Sequence, residues 1–91
     1  PERHLEAAEC LGADMRDATP DDAGEVVAGR IVSLMRATEI PNGLEAVGFE
    51  SGDADALADS AMRQRRAIAN APRETGRDDA AGIFRQAMRY W

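Results

Sequence analysis

The fold is decided by a ten-residue stretch that separates two amphipathic segments, Ile40-Pro41-Asn42-Gly43-Leu44-Glu45-Ala46-Val47-Gly48-Phe49. Proline disfavours the helical conformation in the residue before it, so Pro41 should end the preceding helix. The Asn42-Gly43 pair accepts turn dihedral angles. Apolar residues follow inside what should be a connector. They predict a short helical turn, Leu44 to Val47, buried between the long helices.

Two helices are predicted before this stretch. The first runs from Pro1 to Gly12, because proline suits a first helical turn and glycine suits a C-terminal cap. The second begins at Thr19-Pro20-Asp21-Asp22, which offers an N-cap, a proline at the first position and an acid at the capping-box position. Apolar residues then recur on one face of this helix, at Ala23, Val26, Val27, Ile31, Leu34 and Met35.

Two further helices are predicted after it. One runs from Asp53 to Ala69, and its apolar stripe is Ala54, Leu57, Ala58, Ala61, Met62 and Ile68. The last is entered through a capping box at Thr75 to Asp78, and its apolar face is Ala80, Ile83, Phe84, Ala87, Met88 and Trp91. No window alternates as a strand does. We therefore expect an all-α fold, a small bundle of about five helices forming a single domain over residues 1–91.

The charge balance excludes one class of partner. The chain has seventeen carboxylate side chains and eleven arginines, which gives a net charge of −6. An acidic chain lacks the basic face that nonspecific nucleic-acid binding requires. The one basic cluster, Arg63, Arg65 and Arg66, is predicted near a helix C-terminus, where cations are favourable against the helix dipole. We expect no nucleic-acid partner.

The same composition suggests a compartment. No apolar run approaches the roughly 20 residues that a membrane span needs, and no signal peptide is visible. Cys10 is the only cysteine, so no disulfide can form within the chain. A reducing cytoplasm, without a membrane partner, is the expectation.

Residues for a self-contained active site are missing. His4 is the only histidine and has no second ligand at metal-binding spacing. Cys10 has no cationic neighbour fixed by the sequence to activate it. Asp59-Ser60 is similar to the attachment site of acyl carrier proteins, with Ala61 where those carry leucine. We predict no catalytic, cofactor-binding or metal-binding residue in this chain.

Several segments, taken in order, resemble one enzyme family. Ile40 to Phe49 is similar to the I-P-x-x-L-x-x-h-G-h stretch (h, apolar) of iron-containing, group III alcohol dehydrogenases. Asn70 to Glu74 is similar to the N-P-R turn of that family, and Thr75 to Trp91 to its terminal helix. The opening Pro1-Glu2-Arg3 resembles the start of the helix that follows the histidine-bearing core of the family. The resemblance covers all 91 residues.

The resemblance implies a role within a larger enzyme. Members have a dehydroquinate synthase-like fold, in which an α/β dinucleotide-binding domain precedes a helical domain. NAD(P) and a divalent metal, iron or zinc, lie in the cleft between them. The family's metal ligands and pyrophosphate loop have no counterpart here. By position, the substrate-cleft candidates are Ala67 and Asn70, with Pro72 and Arg73 holding the turn; Ala71 replaces the family's usual asparagine.

Two hypotheses of different classes follow. In the first, the chain is the C-terminal helical part of an NAD(P)-dependent, iron-type alcohol dehydrogenase, walls the substrate and metal cleft, and is inactive alone. Its partner is the remainder of the parent enzyme, and the isolated chain is expected to self-associate through uncovered apolar stripes. The alternative is a free-standing helical protein-interaction or dimerisation domain.

Overall fold

The computed structural model describes residues 1–91, which form five α-helices and no strand. The predicted all-α fold is confirmed. The chain divides into two compact units, residues 1–40 and 41–91. No helix is long and apolar enough to cross a membrane. The helices are α1 Glu2–Cys10, α2 Ala23–Ala37, α3 Ala54–Met62, α4 Arg65–Ala69 and α5 Arg77–Gln86.

In the first unit, α1 packs against α2 and ends at Cys10, and Gly12 provides the predicted C-terminal cap. This residue has a left-handed φ of +88°. Its N–H donates to the Glu9 carbonyl at 2.9 Å, and the Ala13 N–H donates to the Ala8 carbonyl at 3.0 Å. These two bonds are the Schellman pair, which satisfies carbonyls that the helix leaves without partners.

Helix α2 ends before Pro41, as predicted, but a different motif ends it. It stops at Ala37, before Pro41 can act. Glu39 adopts a left-handed φ of 60°, its N–H donates to the Arg36 carbonyl at 3.2 Å, and the Ile40 N–H donates to the Met35 carbonyl at 3.0 Å. A second Schellman motif therefore closes this helix, with glutamate where glycine is usual.

Three helical segments begin with the same local bond. In each, an aspartate carboxylate accepts the backbone N–H of the residue three positions earlier: Asp22 from Thr19 at 3.1 Å, Asp53 from Glu50 at 2.7 Å, and Asp79 from Gly76 at 2.9 Å. The first pair is the predicted one. The predicted pair Thr75 to Asp78 is wrong by one residue, because Gly76 has the extended backbone of an N-cap.

The predicted helix from Asp53 to Ala69 is two helices. After α3, the N–H groups of Arg63 and Gln64 bond three residues back instead of four, at 3.2 and 2.9 Å. The last turn of α3 thus tightens and the α-helical ladder stops. The break itself is at Gln64, whose ψ of +64° lies outside the helical region, and α4 begins at the next residue.

In the second unit, α3 packs on α5 through small side chains. The buried cluster is Ala58, Ala80 and Ala81, with Met62 and Phe84 packed against it. Arg77 Nε lies 2.8 Å from the Asp59 carboxylate. Across the whole chain, six of the seven buried residues are alanine and the seventh is Met88. The core is therefore thin.

The stretch from Asn42 to Glu45 holds the C-terminal end of α5. The Leu44 and Glu45 N–H groups donate to the Ala87 and Met88 carbonyls, both at 3.0 Å. Because these carbonyls are engaged from outside the helix, α5 ends at Gln86 and does not continue to Trp91 as its predicted apolar face implied.

The Asn42 side chain extends this pairing along the tail. Its Oδ1 accepts the N–H groups of Tyr90 at 2.7 Å and Trp91 at 3.0 Å. Its Nδ2 donates to the Trp91 carbonyl. Asn42 therefore binds the tail as a backbone peptide would, with both donor and acceptor satisfied.

The predicted burial of the turn after Asn42 is wrong. A 3-10 turn does form at Glu45–Val47, but Val47 is 56% exposed and Phe49 is 38% exposed. Of the apolar side chains in this stretch, only that of Leu44 is half-buried. The stretch bonds to α5 through its backbone, so its apolar side chains are not needed for that contact. Ile83, predicted on the apolar face of α5, is also exposed, at 60%.

Gly43 has no side chain, so its backbone can lie close to the carbonyl groups of Ala87 and Met88. Adding a methyl group there should therefore be destabilising. A Cβ at Gly43 would lie 2.5 Å from the Met88 carbonyl oxygen and 2.6 Å from that of Ala87, and φ there is +73°. We expect Gly43→Ala to lower the free energy of unfolding by about 3 kcal/mol, through left-handed strain and displacement of these carbonyls. Urea unfolding followed by circular dichroism measures it.

Gly48 is the matched control. It also has a positive φ, +100°, but nothing lies within 4 Å of an added Cβ. Gly48→Ala should therefore cost only the backbone strain, about 1 kcal/mol. Equal losses for the two variants would contradict a steric role for Gly43.

The Arg77–Asp59 pair predicts an acid dependence of stability. The Arg77 hydrogen bond lowers the pKa of Asp59 below its ordinary value of 3.8. The folded chain therefore binds fewer protons than the unfolded chain below about this pH. The stabilisation is present above pH 3.8 and is lost as the pH falls through the lowered folded-state pKa.

We expect Asp59→Asn to weaken the decline in unfolding free energy on acidification. Urea titrations between pH 5 and pH 2 measure this slope. Asp17→Asn is the control, since Asp17 is an exposed carboxylate without an ion pair in the structure. The same loss of slope in both variants would count against a specific contribution of the Arg77 contact.

Candidate functional site

The four predicted cleft residues lie in one continuous segment between α4 and α5. Ala67 is in α4, Asn70 caps that helix, and Pro72 and Arg73 follow in the loop. The Asn70 N–H donates to the Ala67 carbonyl at 3.2 Å, so the first two residues are joined by the last turn of the helix. All four are exposed.

The orientation of α4 is set by one residue. Ile68 is the only residue of this helix that is not exposed. Asn70 keeps helical geometry, with φ −87° and ψ −1°. Positions two apart lie on roughly opposite sides of a helix, whereas positions three or four apart share a side. Arg66 and Asn70 therefore form the outer side of α4, with Ala67 beside them.

Arg73 also contributes to a shallow depression of about 430 Å³ that runs along one side of α5. The Thr75 hydroxyl donates to the Arg73 carbonyl at 3.1 Å and so helps to shape the loop that forms one wall. Ala67, Asn70 and Pro72 do not line this depression. Its lining is Arg73, Glu74, Thr75, Asp78, Asp79, Gly82, Ile83 and Gln86.

The residues of α5 in this depression were not predicted from the sequence as site residues. A signal existed, because Asp79, Gly82, Ile83 and Gln86 recur at spacings of three and four and so share a side of α5. The loop that faces them could not be placed from helix periodicity. Polar residues on that side are read as solvated helix surface unless the loop position is known.

The donor set of the chain does not fit a metal centre. No group of three His, Cys, Asp or Glu side chains is positioned to hold a metal ion. His4 and Cys10 are both exposed. The closest ionic contacts of the carboxylates are with arginine, as in the Asp14–Arg16 pair at 2.6 Å, which lowers the pKa of Asp14. Resident metal chemistry therefore cannot be derived from these residues.

Comparison with known proteins identifies the wider context. The family model for the C-terminal part of the Fe-containing alcohol dehydrogenase family matches residues 1–88. The chain is 38% identical over 88 residues to a probable mitochondrial hydroxyacid-oxoacid transhydrogenase of Dictyostelium discoideum. It is 40% and 38% identical over 91 residues to mitochondrial hydroxyacid-oxoacid transhydrogenases of Pongo abelii and Homo sapiens.

These matches cover nearly all of this chain but only a small part of each relative. They cover 97% of this chain and 16% of the Dictyostelium protein, and 100% of this chain and 20% of the two primate proteins. No solved structure matches significantly. The family model covers nearly every residue, and the order of segments read from the sequence agrees with it. The chain belongs to the Fe-containing alcohol dehydrogenase family and corresponds to its C-terminal part.

Proposed function

We propose that this chain is the C-terminal helical segment of a longer oxidoreductase that transfers a hydride from a hydroxyacid to an oxoacid. The observation that carries the proposal is a family match over residues 1–88, together with relatives of which the chain spans only 16–20%. Those relatives are hydroxyacid-oxoacid transhydrogenases. In such a reaction one hydroxyacid loses a hydride and a proton, and the oxoacid gains both.

The cofactors of the proposed parent would be held elsewhere. NAD(P) would carry the hydride, and a divalent metal, iron or zinc, would polarise the reacting oxygen. The donor set of the chain does not fit a metal ion, so no step is assigned to these residues through either group. The segment's contribution would be shape: one wall of the cleft, formed by Ala67, Asn70, Pro72 and Arg73.

The exposed apolar side chains support the proposal that other parts of the same, longer polypeptide pack against this segment. Val47, Phe49 and Ile83 are each more than a third exposed, while the buried core consists almost entirely of alanine. Larger parts of a parent enzyme would cover these side chains. The alternative, a free-standing dimerisation domain, is not favoured, because the family match accounts for the whole pattern of segments.

The cytoplasm remains our proposed location. The names of the animal and slime-mould relatives place those proteins in mitochondria. For this chain the proposal rests on a single exposed cysteine, which suits a reducing compartment. Fractionation of source cells with an antibody to the chain tests it, and recovery in an organelle or envelope fraction would contradict it.

We expect the isolated chain to self-associate. Uncovered apolar side chains favour self-association, since their burial removes apolar surface from water. Sedimentation across a tenfold range of concentration should show oligomers that increase with concentration. A strictly monomeric chain at all concentrations would contradict this expectation.

Activity should require the longer polypeptide. We expect the protein that contains these 91 residues to couple oxidation of a hydroxyacid to reduction of an oxoacid, and the chain alone to show no turnover, because it lacks a fitting metal donor set. Product formation followed by chromatography is the measurement. The coding sequence upstream of Pro1 should specify a dinucleotide-binding domain.

Two results would overturn the proposal. One is turnover by the isolated chain at enzyme-like rates. The other is the absence of any upstream reading frame continuous with Pro1. A control deletion of residues 41–91 from the longer protein should abolish activity if this segment walls the cleft.

A further inference from the structure

The last residues of the chain, the tail 89–91, bond to a side chain from another segment. Helix α5 ends at Gln86, so the tail lies outside its hydrogen-bond ladder. The Tyr90 N–H donates to Asn42 Oδ1 at 2.7 Å, and the Trp91 N–H donates to the same oxygen at 3.0 Å. Asn42 Nδ2 donates to the Trp91 carbonyl. One carboxamide therefore makes three hydrogen bonds to the backbone of the tail.

The end of α5 is held by different groups. The backbone N–H groups of Leu44 and Glu45 donate to the Ala87 and Met88 carbonyls, both at 3.0 Å. These bonds come from the main chain, so they do not require the Asn42 side chain. Burial also falls beyond this point, because Met88 is buried whereas the side chains at 89 and 90 are exposed. Release of the tail would therefore leave the contacts at the end of α5 in place.

We infer that the tail opens and closes as a separate unit while α3 and α5 stay folded, and that the Asn42 side chain keeps it closed. Local opening of this kind is expected where a segment has exposed side chains and exposed hydrogen bonds. Trp91 is half-buried in the closed state. Opening would expose both its indole and the Asn42 carboxamide to solvent. The inference goes beyond the proposed function and does not depend on it, because it concerns only contacts within residues 41–91.

Hydrogen exchange of single amides in the 91-residue chain, followed by nuclear magnetic resonance, tests this inference. In the unmodified chain the N–H groups of Tyr90 and Trp91 should be protected, but about tenfold or more below those of Leu44 and Glu45. Asn42→Ala should lower the protection of the two tail amides by a further factor of about 10, the effect of losing one or two hydrogen bonds. Protection at Leu44 and Glu45 should change less than about threefold, because their own bonds to α5 remain.

The fluorescence of Trp91 gives a second readout, because it is the only tryptophan of the chain. It can be measured at micromolar concentration, where self-association is weaker than in the exchange experiment. In Asn42→Ala the emission should shift to longer wavelength, and acrylamide should quench it more strongly. The far-ultraviolet circular dichroism should stay the same, since the helices remain folded.

Asn70→Ala is the matched control. It truncates the other asparagine of the chain, at the end of α4, whose side chain does not bond to the tail. Protection at Tyr90 and Trp91 should stay within about twofold of the unmodified chain. Gly43→Ala is the contrasting variant. It displaces the carbonyls at the end of α5, so it should lower protection at residues 44 and 45 as well as in the tail.

Three results would overturn the inference. Unchanged protection of the tail amides in Asn42→Ala would show that this side chain does not keep the tail closed. An equal loss of protection at Leu44 and Glu45 in that variant would show that the tail and the end of α5 open together. Unprotected Tyr90 and Trp91 amides in the unmodified chain would show that the tail is already open.

Discussion

The second unit depends on the close approach of one peptide to the end of a helix. At Gly43 the backbone comes so near α5 that a Cβ would overlap the carbonyl oxygens of Ala87 and Met88. The next two N–H groups then satisfy those carbonyls. Unpaired buried or half-buried carbonyls are costly, so this contact fixes where α5 ends and where the tail begins. Asn42 carries the same pairing onward to Trp91.

Local bonds explain which parts of the fold were predictable. The start of α2 is specified by Thr19 to Asp22, because all the required donors and acceptors lie within four residues. Glycine at position 12 likewise predicts a left-handed cap. The same reasoning misplaced the start of α5, since Thr75 and Gly76 each have an aspartate three residues ahead. Only the backbone conformation, which depends on the preceding loop, chooses between them.

Tertiary contacts explain the errors. The sequence offers no proline or glycine near Arg63 and Gln64, so periodicity alone carried the helix through the break. It also predicted Val47 and Ile83 to be buried because they are apolar, yet both are more than half exposed. Apolar character shows that a side chain can be buried, and the neighbours decide whether it is. The segment order of Ile40 to Phe49 and Asn70 to Glu74 identified the family, but it could not place the loop at Arg73 over α5.

The alanine-rich core limits what this segment can do by itself. Alanines at Ala58, Ala80 and Ala81 let α3 and α5 approach closely, and the Asp59–Arg77 and Asp55–Arg85 contacts flank that interface. Yet one buried methyl contributes only about 0.8 kcal/mol, against about 1.5–3 kcal/mol for a large apolar side chain. No large side chain is fully buried here. Close helix packing through small residues therefore gives precise geometry at little gain in stability, which suits the proposed role as one wall of a larger enzyme's cleft.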